Sequence, residues 1–402
     1  MRILLTATAS HAPPRGGATR SNLAWLNRLA ASGHQCRIVC GPSGEGAPYP
    51  FDESIFMLAV ADPARRVQVL RNEIREFQPD WVLVSSEDLG HVLLREAQHS
   101  AEGRVVYLAH TPQFFPFGPA SWNPDAHAAE LVARAAGVVA IGRHMAEYIE
   151  RALGRRAEVI HPPIYGSGPF PNLARFERGL VAMINPCAVK GISIFLAIAA
   201  RLPQYEFGAT PGWGATAEDL RALERLPNVR VLPNPRGIDD MLRETRILLM
   251  PSLWHEGFGL IVMEAMLRGI PVVASDSGGL REAKAGTGFL IPVNGIERYE
   301  PVFDEHGMPR PVTPYNDPGP WVEAVTRLLS DRAVYERESA ASRAAAHSFV
   351  EGLDADALER FLASLGAAPP AGGRVEAPTM ESLSPNKRAL LLQRLRRRRM
   401  AR

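Results

Sequence analysis

Short apolar runs of strand length recur along the chain and alternate with stretches whose apolar residues repeat at helical spacing. The first set falls at residues 3–6, 36–39, 81–85, 105–109, 138–141 and 159–160. A second set falls at 180–184, 205–209, 229–232, 246–250, 272–274 and 289–291. Between the first two runs, Leu23, Leu26, Leu29 and Ala30 keep a helical period from the Gly16-Gly17 pair to Gly33. Runs of this length separated by helices predict βαβ units and parallel sheets. The Gly- and Pro-rich stretch 166–171 separates the two sets and reads as a hinge. Helices are expected at 321–329, 334–347 and 354–365, after a polar, proline-bearing loop at 294–320 that is longer than most connections and reads as a surface excursion.

The densest chemistry lies in 248–283, LLMPSLWHEGFGLIVMEAMLRGIPVVASDSGGLREA. A buried-type strand ends at Pro251-Ser252, and Gly257 and Gly259 then open a helix that stops at Gly269 and Pro271. Bare backbone N–H groups at a helix start favour an anionic phosphate. Glu256 and Glu264 flank that turn eight residues apart. Carboxylates only accept hydrogen bonds, so two of them beside a phosphate site suit a ligand that also carries hydroxyl groups, such as a sugar diol.

Composition narrows the classes. A chain of 402 residues is long for a single core and comfortable for two, and 46% hydrophobic with 22% charged residues is the balance of a globular protein. No apolar run reaches membrane-spanning length, so the expectation is a cytoplasmic protein without a transmembrane segment. Cys36, Cys40 and Cys187 form no disulfide framework and read as small core residues. The net charge of +2 conceals an asymmetry, because eight basic and no acidic residues lie between Lys387 and Arg402, leaving the remainder mildly acidic. Asp354 and Asp356 form an Asp-x-Asp at an expected helix start, where capping rather than metal binding is the expectation.

Glu256, Gly257, Phe258, Gly259 and Glu264, followed by Gly278, Gly279 and Glu282, resemble the signature of retaining glycosyltransferases of the glycogen-synthase and sucrose-synthase type, the group 1, family 4 enzymes. The resemblance implies an α/β GT-B architecture of two Rossmann-like domains facing across a cleft. The boundaries expected on that basis are 1–168 for an acceptor domain, 172–350 for a donor domain, 351–365 for a helix bracing the first domain, 366–380 for a linker and 381–402 for a basic helical tail. It implies a nucleotide-sugar donor, UDP- or GDP-linked, as substrate, with no cofactor and no metal. Glu264 would accept the ribose hydroxyls and Glu256 those of the transferred sugar, while Lys190 and amides from Phe258 to Leu260 would hold the leaving diphosphate.

Further residues follow from the same resemblance. Gly16 and Gly17 would lie beneath the diphosphate, Gly212 and Gly214 near the nucleotide, and 232–236 at the base. His110, at the end of the 105–109 run, would face the transferred sugar, and the Phe114, Phe115 and Phe117 loop could either line an apolar acceptor site or be core. The family's turn at 185–191 normally carries an arginine and a lysine. Lys190 fits, but Asn185 stands at the arginine position, and Arg281 or Arg143 could compensate. The expected activity is retaining, metal-independent sugar transfer to a small-molecule or carrier-bound acceptor. An epimerase, a glycosyl phosphorylase and an inactive scaffold acting through its tail are the alternatives. The 383–392 tract resembles helical tracts between domains of nonribosomal peptide and polyketide megasynthases, which implies docking to a megasynthase or carrier protein in specialised metabolism; a basic segment without aromatics ranks nucleic acid below that.

Overall fold

The computed structural model describes residues 1–14, 16–42, 54–234 and 237–366. Seven strands form the first sheet: β1 (Arg2–Thr6), β2 (Gln35–Cys40), β3 (Phe56–Ala59), β4 (Trp81–Ser85), β5 (Val105–Ala109), β6 (Gly137–Ala140) and β7 (Glu158–Val159). Their order is β3-β2-β1-β4-β5-β6-β7, parallel throughout. The second sheet has β8 (Leu180–Ile184), β9 (Phe207–Thr210), β10 (Val229–Val231), β11 (Thr245–Met250), β12 (Val272–Ser275) and β13 (Leu290–Ile291), in the order β10-β9-β8-β11-β12-β13 and again parallel. These are two Rossmann-like α/β domains. Helices cover both faces, so the central strands are mostly apolar: every residue of β4, β5 and β11 is buried, including the polar Ser85, Thr245 and Arg246 at strand ends.

Both orders reverse beside the first strand of their domain, at β1/β4 and β8/β11. In open α/β sheets the crevice outside the carboxyl ends of strands at such a reversal receives the ligand. Thr6, Ser85, Ile184 and Met250 end those four strands; Gly16 and Gly17 come after the first, Asn185 and Lys190 after the third and Glu256 to Gly259 after the fourth, while His110 follows β5 and Gly212 and Gly214 follow β9.

Two features depart from the sequence reading. The edge strand β3 lacks a clear apolar signature, because none of its residues is buried. The 294–320 loop contains a hairpin, β14 (Tyr299–Phe303) and β15 (Pro309–Pro311), whose antiparallel pairing gives its polar residues a backbone reason to be ordered. The helix Ala357–Ser364 packs on the first domain: Arg28 bonds Asp356 at 2.5 Å, His34 bonds Glu359 at 2.9 Å, and a Cβ on Gly137 would stand 2.7 Å from Phe361. Asp356 is the N-cap residue of that helix without a side-chain cap bond and is engaged by Arg28, while Asp354 accepts from the Asp356 N–H at 3.1 Å. One hydrophobic cluster runs from the first sheet, through Ile141, to Phe258, Leu260 and Met250 of the second. The expected linker from 367 onward and the basic tail lie outside the described residues.

Candidate active site

The donor-side loops converge on one ion pair. Strand β8 ends at Ile184, and Asn185 follows with φ 56, a left-handed conformation that Asn tolerates better than most side chains. Asn185 is buried; its Oδ1 accepts from the Gly214 N–H at 2.9 Å, and its Nδ2 is buried with no hydrogen-bond partner among the described residues. Gly212 is obligatory beside it, since a Cβ there would lie 2.7 Å from Asn185 Oδ1. A short 3-10 turn, Ala188–Lys190, then brings the Lys190 ammonium to Glu256 Oε1 at 2.5 Å. Ser252 also donates to that oxygen, and the ammonium sits 4.2 Å from the Trp254 ring centroid, which stacks on Trp213.

Glu256 leads directly into the helix Leu260–Leu267, whose N-cap Gly259 has φ 104 and no side-chain cap, with no acidic residue in the first turn. Its first amides are therefore available to an anion. Gly257 is packed so closely on the first domain that a Cβ would meet the His110 carbonyl oxygen at 2.1 Å. Opposite, the first helix (Gly17–Ala31) begins at Gly16, and a Cβ on Gly17 would stand 3.3 Å from Leu260. Two helix N-termini thus meet at the cleft. One turn into each, Arg20 and Glu264 form an ion pair between the domains at 2.6 Å, with a second contact at 3.4 Å.

The first-domain side has a different character. His110 is buried against Trp25 and bonds Asn22 Oδ1 through Nε2 at 2.9 Å, while Nδ1 is buried without a partner. Asn22 also contacts His11 Nε2 at 3.4 Å and Ser85 at 3.3 Å, and His11 Nδ1 bonds the Ala9 carbonyl. This pattern is consistent with two neutral imidazoles, each with one donor and one acceptor nitrogen. Burial, reinforced by His11, pushes His110 down to about 3, and burial pushes His11 down to about 4 against its bond to Ala9. Glu87, half-buried just beyond β4, is pushed up to about 7 by burial, which outweighs the pull of Lys190.

The structure therefore brings together Gly16, Gly17, Lys190, Asn185, Gly212, Gly214, Glu256 to Leu260 and Glu264. It places His110 just behind Gly257. Phe115 and Phe117 are core residues, packed on Tyr107 and Tyr148, and do not line a cleft; the turn Pro112–Phe114 directs them inward. Phe114 remains half-buried against Trp122. Arg281 is held by Asp276 and Arg143 lies beside Glu282, each with a side chain about 70% exposed. Glu282 instead fastens the domains: it accepts from the Arg143 N–H at 2.7 Å and contacts His161 at 3.2 Å, and these bonds hold it below the usual carboxylate range despite burial. Part of the expected base-binding stretch, Pro235 and Arg236, lies outside the described residues.

Sequence reasoning missed Arg20, Glu87 and the Trp213–Trp254 stack. Only Arg20 left a signal, because it stands three and four residues after the glycine pair, on one helical face. Among the described residues no group of three His, Cys, Asp or Glu is arranged to hold a metal ion, and no helix is long and apolar enough to cross a membrane.

Comparison with known proteins assigns this geometry to a class. Residues 15–165 match the model of Glycosyltransferase Family 4 and residues 175–331 that of Glycosyl transferases group 1. The chain belongs to the family 4 type of group 1 glycosyltransferases and has the GT-B fold. It is similar to a D-inositol 3-phosphate glycosyltransferase of Xylanimonas cellulosilytica, 28% identical over 250 residues that make up 55% of each chain. A D-inositol 3-phosphate glycosyltransferase of Mycobacterium is 30% identical over 219 residues, 48% of this chain and 44% of the relative. The chain thus spans about half the length of these curated relatives. Among solved structures, Anabaena HepE in complex with UDP-glucose has a TM-score of 0.65 at 16% identity, covering 90% of this chain and 98% of that one. WaaG, a glycosyltransferase involved in lipopolysaccharide biosynthesis, has a TM-score of 0.63 at 15% identity, covering 92% and 100%.

Proposed function

We propose that this protein moves a sugar from a UDP- or GDP-linked donor to an acceptor hydroxyl, without a metal and with retention at the anomeric carbon. The observation that carries the reading is the Lys190–Glu256 pair at 2.5 Å, set beside the uncapped start of the helix Leu260–Leu267 and facing the start of the first helix. A cation and free amides suit a leaving diphosphate, and the adjacent carboxylate suits sugar hydroxyls. Glu264, one turn further along, accepts from the ribose. Lys190 stabilises the departing charge together with the Asn185 amide, whose Nδ2 donor is otherwise unpartnered. HepE, crystallised with UDP-glucose, and the inositol-phosphate glycosyltransferases support a nucleotide-sugar substrate.

In the retaining route the acceptor hydroxyl arrives on the face that the diphosphate leaves, and a departing phosphate oxygen takes its proton. The first domain then needs no base. His110, neutral and fixed by Asn22, shapes the site rather than titrating. Glu87 is the group that tests this division. Under the retaining reading, Glu87→Gln keeps transfer within about tenfold and the product anomer keeps the donor's configuration. A loss of about a thousandfold, on the scale of removing an essential proton-transfer group, together with an inverted product by NMR, would make Glu87 a general base and overturn retention.

The acceptor proposed is a specialised metabolite, free or held on a carrier protein, with the 381–402 segment as the docking element. Removing residues after Thr379 then spares transfer to a free acceptor and weakens transfer to a carrier-bound one. Equal loss on both would refute the docking role.

A further inference from the structure

This inference rests on the donor reading above: a nucleoside diphosphate occupying the cleft brings at least two negative charges, and at the family's arginine position Asn185 supplies none. We infer that Arg20, reaching across from the first domain, is the second cation for that diphosphate.

Four observations carry it. Gly17 packs within 3.3 Å of Leu260 as a Cβ position, so the first helix begins against the helix start assigned to the phosphate, and Arg20 lies one turn into it. Its guanidinium bonds Glu264 through both terminal nitrogens, and Glu264 is a single turn, about 6 Å of rise, past Leu260. The Glu264 side chain is 4% exposed and that of Arg20 29%, so solvent reaches the arginine side of the pair and hardly the carboxylate. A guanidinium carries five N–H donors in a planar fork, so it can hold a carboxylate on one edge and a phosphate oxygen on another. Finally, the Tyr165 hydroxyl is buried close enough to feel both Glu264 and Arg20 and has no hydrogen-bond partner among the described residues.

The competing role is purely positional, in which Arg20 orients Glu264 for the ribose and never touches phosphate. The two roles separate on the ligand. A positional Arg20 affects nucleoside and nucleoside diphosphate alike, whereas a phosphate-binding Arg20 affects the diphosphate alone. The catalytic consequence also differs, because a cation that meets charge developing on the leaving group lowers kcat as well as raising the donor KM.

The test is titration of UDP and GDP by calorimetry, and of uridine and guanosine by competition, into the wild-type chain, Arg20→Ala and Arg20→Lys, with melting curves to confirm folding. In the wild type at least one diphosphate binds; if neither does, the donor reading itself fails. Arg20→Ala is expected to raise the dissociation constant of that diphosphate by about 30-fold, the scale of one charge-assisted contact, and to change that of its nucleoside by less than about threefold. Arg20→Lys recovers part of the loss, because it restores charge without the fork. Parallel losses for nucleoside and diphosphate, or diphosphate binding that ignores Arg20 altogether, would overturn the inference while leaving the donor reading intact. Should Arg20→Ala fail to fold, Arg20→Lys against the same ligand pair decides: a loss confined to the diphosphate supports the inference and an equal loss refutes it.

Discussion

The two walls of the cleft handle polarity in opposite ways. On the donor side the polar groups are ions held in pairs at the rim of a helix start: Lys190 with Glu256, and Glu264 with an arginine borrowed from the other wall. On the first-domain side they are neutral and sealed, His11 and His110 joined through Asn22 to Ser85 beneath the surface. Each of these largely buried carboxylates has a cation beside it, so the donor wall holds charge by pairing. Groups that only shape the wall are desolvated until their charged forms are excluded. The boundary between these regimes is Gly257 against the His110 backbone, where the walls touch.

Substitutions probe the contrast in decreasing order of effect. Glu256→Ala should lower kcat about a thousandfold, roughly 4 kcal/mol of lost transition-state contact, with melting also lowered because the largely buried Lys190 ammonium loses its partner; unchanged turnover would place sugar recognition elsewhere. Gly257→Ala forces a methyl to within 2.1 Å of the His110 carbonyl oxygen, so the walls must part. A destabilisation of about 2–3 kcal/mol is expected by denaturant unfolding, with transfer falling in step; a neutral result would show that the domains do not close this tightly in solution.

The neutral wall predicts a pH effect of definite sign. His110 and His11 are held down to about 3 and about 4, so between those values and their unfolded value of 6.5 only the unfolded chain takes up the protons. Stability attributable to them is complete above 6.5 and is lost as pH falls, with a slope of up to about 1.4 kcal/mol per pH unit for each group. His110→Asn should flatten the fall in urea midpoint between pH 6.5 and 4 relative to wild type; an unaltered slope would mean that His110 is solvated. Smallest of all, Arg281→Ala should change donor binding and stability by less than about 0.5 kcal/mol, because its ion pair with Asp276 is exposed. A large loss of donor affinity would restore it as the compensating cation.

The sequence showed the sheets clearly because central parallel strands are buried on both faces and read as apolar runs, as at 81–84 and 247–250. The edge strand Phe56–Ala59 is half-wet and left no such trace. Part of the donor site was legible for a local reason, since Glu256, Gly257 and Gly259 follow closely on the end of a buried strand, while Lys190, Gly212 and Gly214 were placed by the family resemblance. Arg20 and Glu264 are 244 residues apart, and no local pattern joins them. Phe115 and Phe117 were left open between acceptor wall and core because an aromatic loop looks the same whether it faces a ligand or, as here, the core. Asn185 was read as a weakened phosphate ligand. The fold shows its second task, bracing the Gly212–Gly214 turn from a left-handed backbone, which an arginine would perform poorly.

The central claim is that a nucleotide-sugar is held on the donor wall by Lys190, Glu256 and Glu264. Calorimetric titration of a panel of UDP- and GDP-sugars into the wild-type chain and Glu264→Gln tests it most directly. The account predicts that at least one sugar nucleotide binds the wild type and that its dissociation constant rises about 30-fold in the variant, the loss of charge-assisted bonds to a ribose diol. Binding that is indifferent to Glu264, or no binding of any sugar nucleotide, would contradict it.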